Sequence, residues 1–524
     1  MSETLPKRTK KSASSPKQSS LSVWRQSRSP AKSIHATSHS VDPCDVCVIG
    51  GGIAGLTISY FLAREDKNVI LLEKHSIGDG ETLNTTAHLS NAVDAGYREI
   101  ERYHGERGAK LAAESHTAAI RAIEVIVEEA RIDCDFERVE GYIFRGSRDS
   151  VKELNEELEA ARKAGLDVAM EPDLPVSSIK GPCVHFKDQA QFHPGKYMAG
   201  LARAVKDAGV KIFTNTEAVS VSGRDIAQIK TKDGGTFAAS FAVVAGNTPF
   251  NDWVTMHTKQ AAYRTYAIGV PIPKGAVHKA LYWDTEDPFH YVRVAPNASK
   301  DADEDVLIIG GEDHKTGQEE EIGNRYARLL NWGRKHFGDL GKPTFRWSGQ
   351  IMDSADGLAF IGRNPGSESN VFIVTGDSGV GLTHGTIAGV LITDLIMGRK
   401  NPWETLYDPS RKMIRAALEF GRENVNTLAQ YGDWITPGDV DDVNEIKPGS
   451  GAIVRDGLSK LAVYRDSKGN LHRRSAVCPH LGCIVAWNTT ESSWDCPCHG
   501  SRFDPEGHVL NGPAVSSLAP VEDT

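Results

Sequence analysis

The chain has 524 residues, of which 40% are hydrophobic and 25% are charged, a composition typical of a soluble globular protein with two or three domains. The formal net charge is −9, and residues 1–40 contain eight Lys or Arg but one acidic residue, so the rest of the chain is strongly acidic. An acidic body argues against nucleic-acid binding. The long apolar run at 46–63 contains four glycines, so we expect no transmembrane segment, which leaves peripheral membrane association open.

Residues 1–40 are rich in Ser, Lys and Arg, and this composition predicts a disordered basic tail. An organelle transit peptide has a similar composition, so the predicted location is cytoplasmic, with an organelle as the alternative. Trp24 is a large aromatic residue in this polar tail, and we expect it to pack on the folded body.

A Gly-x-Gly-x-x-Gly motif at 50–55 follows an apolar strand and precedes a predicted helix at 56–65. A second predicted strand, at 68–72, ends at Glu73. The glycines allow backbone N–H groups and the helix N-terminus to approach a pyrophosphate, and the acidic side chain would accept hydrogen bonds from ribose hydroxyls. The motif therefore predicts a dinucleotide-binding βαβ unit. Its predicted contacts are Gly50, Gly52, Ile53, Ala54, Gly55 and Glu73.

Four further stretches decide which dinucleotide is expected. They are the polar loop 80–90 (GETLNTTAHLS), the segment 189–197 (QAQFHPGKY), the loop 354–362 (SADGLAFIG) and the glycine-rich run 372–383 (FIVTGDSGVGLT). With these stretches, residues 42–400 resemble the FAD-dependent oxidoreductases of the D-amino-acid-oxidase/glycine-oxidase type. The alternative is an NAD enzyme that shares the first motif alone.

This resemblance implies FAD as the cofactor. It also implies an α/β Rossmann-like FAD-binding domain with a mixed β-sheet substrate domain that covers the flavin. The further FAD contacts that the resemblance implies are Lys74, Thr86, Ala87, His88, Val219, Ala245, Asp356, Gly376, Gly381, Leu382 and Thr383.

The substrate of such an enzyme is positioned by an anchor rather than by strong acid or base catalysis. Tyr291 and Arg293 lie on a strand predicted at 281–293, and the two-residue period of a strand places them on one face. In amino-acid oxidases an arginine binds the substrate carboxylate, which makes Arg293 a candidate anchor, with a surface or interdomain salt bridge as the alternative. His88 is the third catalytic candidate, through hydrogen bonding, packing or covalent attachment of the flavin.

A predicted amphipathic helix at 408–431 lies within a linker at 406–435, and short strands and turns follow from 436. Two motifs stand out there, Cys-Pro-His-Leu-Gly-Cys at 478–483 and Cys-Pro-Cys-His-Gly-Ser at 496–501. Two thiolates and two imidazoles are the ligands of a [2Fe–2S] centre of the mixed Cys/His type. A structural zinc site is the alternative.

The stretch 478–503 closely resembles the Rieske family in its disulfide-bearing form. The resemblance implies a small all-β Rieske domain and the cluster ligands Cys478, His480, Cys496 and His499. It also implies a disulfide between Cys483 and Cys498 and a cluster-shielding third loop at 512–514. Ser501 matches the position whose hydroxyl bonds a cluster sulfur. Phe503 stands where high-potential members have Tyr, so we expect a lower reduction potential.

The chain is thus expected to contain a tail at 1–40, a flavin-dependent oxidoreductase at 41–405, the linker at 406–435 and a Rieske domain at 436–524. The predicted function is oxidation of a small amine or amino-acid-like substrate by FAD. Electrons would then pass through the [2Fe–2S] cluster to an external one-electron acceptor. Alternatives are the reverse flow, in which the cluster receives electrons from a donor and the flavin reduces a substrate, a redox sensor, and an oxidase that forms peroxide.

Overall fold

The structure is a computed structural model, and it describes residues 21–25, 34–35, 42–146, 150–176, 178–250, 256–318, 324–366, 370–413 and 415–521. The predicted basic tail lies outside these residues except for 21–25 and 34–35. Among the described residues, no helix is both long enough and apolar enough to cross a membrane.

The first sheet is built around the strand Cys44–Ile49, which pairs in parallel with a strand on each side. Both faces of this strand are covered, which explains its nearly continuous apolar sequence. The helix Ile53–Arg64 follows it and packs against the helix Gly381–Ile396. The order of the hydrogen-bonded strands is Ile34–His35, Lys211–Thr214, Val69–Leu72, Cys44–Ile49, Thr236–Asn247, Ala227–Thr231 and Ala218–Ser222, with Val371–Thr375 on Thr236–Asn247 and Phe360–Arg363 on Val371–Thr375.

The second sheet is mixed and stands over the carboxyl ends of the first. Helix Arg325–Phe337 packs on its outer face. The strand predicted at 281–293 is in fact two antiparallel strands. The strand order is Phe345–Ser354, Gln260–Pro273, Glu304–Lys315, His290–Ala295, Ala280–Asp284, Glu137–Phe144, Cys183–Gln191 and His88–Leu89, with Val168–Glu171 on Cys183–Gln191.

The other helices of the described chain are Gly96–Glu129, Val151–Lys163, Pro194–Asp207, Glu404–Tyr407 and Ala417–Ala429. The helix predicted at 408–431 therefore begins nine residues later than expected. The carbonyls of Pro409 and Arg411 accept hydrogen bonds from Lys259 at 2.7 and 3.1 Å, so they do not continue a helix. The Arg411 side chain instead forms a bidentate ion pair with Asp356.

The C-terminal part is all β, as the sequence predicts. Ser450–Asp456, Ser459–Arg465 and Leu471–Ser475 form one small antiparallel sheet. Ala486–Asn488, Ser493–Asp495, Arg502–Phe503 and Val509–Asn511 form the second. The two Cys/His motifs flank the start of this second sheet, which places them side by side.

A buried ion network joins this β domain to the mixed sheet. Glu491 accepts from Arg264 of the mixed sheet at 2.6 Å and also pairs with Arg502. Arg502 in turn bonds Asp495 at 2.9 Å, and Ser348 bonds both Glu491 and Arg264. Burial opposes ionisation of Glu491, but Arg264 and Arg502 outweigh it and lower its pKa to about 2. The two domains are therefore held in one fixed orientation by charges that water does not reach.

Replacement of Glu491 by Gln should destabilise this interface strongly, because it leaves Arg264 buried without its counter-charge. Breaking a buried pair costs about 3–5 kcal/mol. Denaturant titration of the holoprotein, followed by cluster absorbance, measures the loss. The matched control is Glu156→Gln, which removes an exposed partner of Arg98 and should cost at most about 1 kcal/mol. Equal stabilities of the two variants would contradict the assigned role of the network.

Candidate functional site

A cavity of about 370 Å³ lies between the two large sheets and continues to the β domain. Its floor is the glycine motif. Gly50 has φ +115°, and a Cβ there would lie 2.5 Å from the Ala245 carbonyl oxygen. The Glu73 carboxylate accepts hydrogen bonds from the N–H groups of Gly51 (2.6 Å) and His75 (2.7 Å). This glycine cradle with an acid at its edge fits a dinucleotide.

Most of the predicted FAD contacts line this cavity. The structure places there Gly50, Gly52, Ile53, Ala54, Glu73, Lys74, Thr86, His88, Ala245, Gly381 and Leu382. The N-terminus of the helix Gly381–Ile396 faces the cavity, which suits negative charge on a bound flavin.

Six predicted contacts are not part of the cavity wall: Gly55, Ala87, Val219, Asp356, Gly376 and Thr383. Asp356 is held by Arg411, as described above, which also lowers the pKa of its carboxyl. Gly55 allows close helix–strand packing, since a Cβ there would collide with the Gly50 carbonyl. Thr383 bonds His116 and the Val380 carbonyl instead of facing the cavity.

The sequence reasoning missed several wall residues. Thr82, Thr85, Gly379 and Gln350 line the cavity, and so does the segment 510–515 of the β domain. The resemblance of the loop 80–90 to a flavin-contacting loop could have predicted Thr82 and Thr85. No local sequence pattern predicts that Gln350 or the segment 510–515 lines the cavity.

The end of the cavity beneath the mixed sheet is lined by aromatic residues. Trp283, Phe289 and Tyr291 face it, and the Tyr291 hydroxyl bonds Thr265 at 2.6 Å. His88 also faces it, and its ring bonds Thr86 at 3.0 Å. Burial, assisted by Arg293, lowers the pKa of His88 to about 3, so this imidazole is neutral.

Arg293 is buried but does not line the cavity. Its guanidinium donates to the carbonyls of Ala87 (2.6 Å) and Phe192 (3.2 Å) and lies over the ring of Trp24. Trp24 is 1% exposed and donates to the Thr85 carbonyl, so this part of the tail packs on the flavin loop, as expected. Both of these bonds come from one terminal nitrogen and hold Arg293 against the flavin loop, and its role as a carboxylate anchor stays a prediction.

Four aspartates surround the substrate end instead. Asp94 and Asp377 line the cavity, and Asp313 and Asp353 lie behind them. The Asp94 side chain is exposed at the cavity wall. Its position deep within the fold, reinforced by the neighbouring carboxylates, raises its pKa to about 8. A similar position raises the pKa of Asp377 to about 7. Among the described residues of the wall, Lys74 is the one Lys or Arg, and it pairs with Glu217 beside Glu73.

The Cys/His motifs form a compact donor set. The thiols of Cys478 and Cys496 are in hydrogen-bond contact, and the rings of His480 and His499 lie 5.0 Å apart, centroid to centroid. Burial, with His257 nearby, lowers the pKa values of both histidines, so they are neutral, as metal ligands must be.

The surroundings of these donors fit an iron–sulfur cluster. Cys483 and Cys498 form a disulfide, with their Cα atoms 6.4 Å apart, that ties the two motifs together. The neighbouring Cys496 thiol, backbone N–H groups of His480 and Leu481 and the Ser501 hydroxyl together lower the pKa of the Cys478 thiol. Donors beside a ligand sulfur are groups that tune the reduction potential of these centres.

Comparison with known proteins agrees with both halves of the site. Residues 45–395 match the family described as FAD dependent oxidoreductase, and residues 436–522 match the Rieske [2Fe-2S] domain. The chain belongs to the FAD dependent oxidoreductase family. Its flavin domain binds FAD and its Rieske domain binds a [2Fe–2S] cluster, so the α/β-plus-Rieske fold prediction is confirmed.

Among its relatives is the Bacillus subtilis protein YhfW, whose name describes it as a Rieske 2Fe-2S iron-sulfur protein. It is 31% identical over 91% of this chain and 93% of its own length. The gamma-glutamylputrescine oxidoreductase of Escherichia coli is 24% identical over 68% of this chain and 84% of its own length. The solved glycine oxidase from Geobacillus kaustophilus has a TM-score of 0.60 at 17% identity, over 71% of this chain and 100% of its own.

Substitution of Ser501 by Ala should lower the reduction potential of the cluster, because it removes a hydrogen bond that stabilises the more negative, reduced state. A bond worth about 1 kcal/mol corresponds to about 40 mV for a one-electron couple. Redox titration followed by electron paramagnetic resonance measures the shift. Phe503→Tyr should move the potential in the opposite direction if its hydroxyl reaches a ligand sulfur. An unchanged potential in Ser501→Ala would exclude this role for the hydroxyl.

Proposed function

We propose that the protein is an amine dehydrogenase that sends the electrons of its substrate from FAD to its own Rieske cluster and then to an external one-electron acceptor. The observation that carries this proposal is the shared cavity wall. Residues 510–515 of the Rieske domain line the same cavity as the glycine cradle of the flavin domain. A cluster that adjoins the flavin cavity through the fold itself is well placed to receive electrons from it.

The reaction balances as a two-electron oxidation followed by two one-electron steps. Bound FAD would supply the hydride chemistry at the C–H bond next to the amine nitrogen, and water would hydrolyse the resulting protonated imine to a carbonyl compound and an ammonium ion. The cluster would pass the two electrons singly to two molecules of acceptor, and the two remaining protons would go to water. FAD supplies the hydride chemistry, and the protein positions the substrate and excludes water.

The lining of the substrate end favours an amine over a carboxylate. Asp94 and Asp377 present carboxyl groups to the cavity, whereas Arg293 is occupied by backbone carbonyls. The Escherichia coli relative is named for gamma-glutamylputrescine, a molecule with a free primary amine. In this proposal Asp94 or Asp377 binds the substrate ammonium. With pKa values of about 8 and 7, these carboxylates are also matched to accept its proton, which frees the nitrogen lone pair for hydride loss.

The proposal is tested by anaerobic stopped-flow mixing of the holoprotein with a panel of mono-, di- and polyamines and amino acids. A substrate should bleach the flavin band first and the cluster bands next, at a rate independent of protein concentration. Flavin bleaching without cluster reduction would reject the electron path. If the measured reduction potential of the cluster is lower than that of the flavin, electron flow from the cluster to the flavin would be favoured instead.

Asp94→Asn should raise KM for a cationic amine at least about tenfold at pH 9 and less at pH 6. The carboxyl of Asp94 is protonated below its raised pKa of about 8, so the wild-type protein loses much of this attraction at low pH, while Asn never has it. Steady-state kinetics at the two pH values measure the effect. The matched control is Asp167→Asn, because Asp167 is exposed and pairs with Lys187 outside the cavity. A pH-independent effect of Asp94→Asn would contradict ammonium binding.

A further inference from the structure

Gln350 touches both halves of the site. It lies on the strand Phe345–Ser354, its side chain is buried, and it lines the flavin cavity. Its Nε2 donates a hydrogen bond of 2.8 Å to the carbonyl of Gly500. Gly500 directly follows the cluster ligand His499, so one side chain spans from the cavity wall to the cluster loop.

The contact is held tightly from both sides. Gly500 has φ +77°, and a Cβ at this position would collide with Ala262 and lie 2.5 Å from Nε2 of Gln350. The backbone N–H of Gln350 donates to Glu81 at 2.8 Å, and Glu81 also accepts from Asn511 of the Rieske domain at 2.9 Å. The strand and the cluster loop are therefore packed without space for a side chain or a water between them at this point.

We infer that Gln350 is the residue that couples the flavin to the cluster, by fixing the loop of His499 against the cavity wall. This inference rests on the proposed function. In the coupled step one electron leaves reduced FAD and reduces one ferric iron to ferrous, and no bond between heavy atoms forms or breaks. Electron tunnelling falls steeply with distance and with gaps in packing, so the closest packed contact between the two centres dominates the rate.

A second connection exists on the cysteine side of the cluster. Ala514 lines the cavity, its N–H donates to the Ser501 hydroxyl at 3.0 Å, and this hydroxyl neighbours the Cys478 thiol. The electron would nevertheless go to the iron held by His480 and His499. Two neutral imidazoles leave that iron with more positive charge than two thiolates leave the iron held by Cys478 and Cys496. His257 packs on both histidine rings, and its Nε2 bonds the carbonyl of Pro249 at 3.1 Å, between the wall residues Thr248 and Phe250, so it makes an indirect connection. Within the described part of the chain, Gln350 makes a direct connection from the cavity wall to the loop of His499.

The chain offers a matched control in Gln318. Its Nε2 also donates to a carbonyl of the same cluster loop, that of Pro497 at 3.1 Å, but Gln318 does not line the cavity. Gln350→Met and Gln318→Met each keep the length of the side chain and remove one hydrogen bond to the cluster loop. Gln318→Met also removes a hydrogen bond of 2.7 Å to Asn426 of the linker helix, so it is the more disruptive of the two changes. Gln350→Asn is a second test variant, because its amide is too short to reach Gly500.

The experiment uses holoproteins with full FAD and cluster content. A laser pulse reduces the flavin in the presence of a sacrificial donor, and cluster absorbance reports the transfer. We expect the transfer rate constant of Gln350→Met and Gln350→Asn to fall roughly fivefold or more, the change that one neutral hydrogen bond typically produces. Gln318→Met should transfer at the wild-type rate. The electron paramagnetic resonance spectrum and the potential of the cluster should be the same in all four proteins, because no bond to a cluster sulfur is altered.

Three outcomes overturn the inference. Wild-type transfer rates in both Gln350 variants would show that this contact does not govern the step. Equal slowing in Gln318→Met would show that general loosening of the interface is responsible. If no cluster reduction follows the pulse in the wild-type protein, the proposed electron path itself fails. If the Gln350 variants lose the cluster, amide hydrogen exchange of the loop 496–501 is measured in the purified variants instead. Positioning by Gln350 requires this loop to exchange faster in the Gln350 variants than in Gln318→Met, and equal exchange would contradict the inference.

Discussion

The arrangement of the two redox halves depends on the ion network centred on Glu491. This carboxylate lies between Arg264 of the flavin domain and Arg502 of the Rieske domain; both arginines are buried, and the Glu491 side chain is 9% exposed. Buried charges contribute little net stability, but they tolerate few alternative arrangements, because any displacement leaves a charge without its partner. The network is thus best understood as a device for orientation. Apolar packing alone would permit the domains to slide, whereas paired charges fix the register.

A fixed orientation keeps the two halves of the site in contact. The Rieske segment 510–515 closes the cavity, and the rings of His480 and His499 lie against His257 of the flavin domain. Under the proposed function, an acceptor held permanently beside its donor replaces a bimolecular encounter with an internal step, so its rate would not depend on protein concentration.

Local motifs made about half of this site predictable. The glycine cradle and the cluster donors are fixed by short spacings, because a turn or a ligand loop is specified within a few residues. The two-residue period also placed Tyr291 correctly on the inner face of the sheet. The same rule could not show that the carbonyls of Ala87 and Phe192 occupy Arg293, since these partners are about one hundred or more residues away in sequence. Asp356 and Gln350 illustrate the same limit, because their roles depend on Arg411 and Gly500.

The four aspartates at the substrate end reduce the stability of the folded state, so their presence is better explained by function. Their position deep in the fold and the carboxylates around them raise the pKa values of these four aspartates, so near neutral pH the folded state holds protons that the unfolded chain would release. Each raised pKa therefore disfavours folding increasingly as the pH rises from the unfolded value near 4 towards the folded value. A bound ammonium reverses this effect, because it favours the ionised carboxylates and displaces their protons. Binding of a cation and release of protons would thus be linked, and under the proposed function the groups that destabilise the empty cavity are the ones that bind the amine.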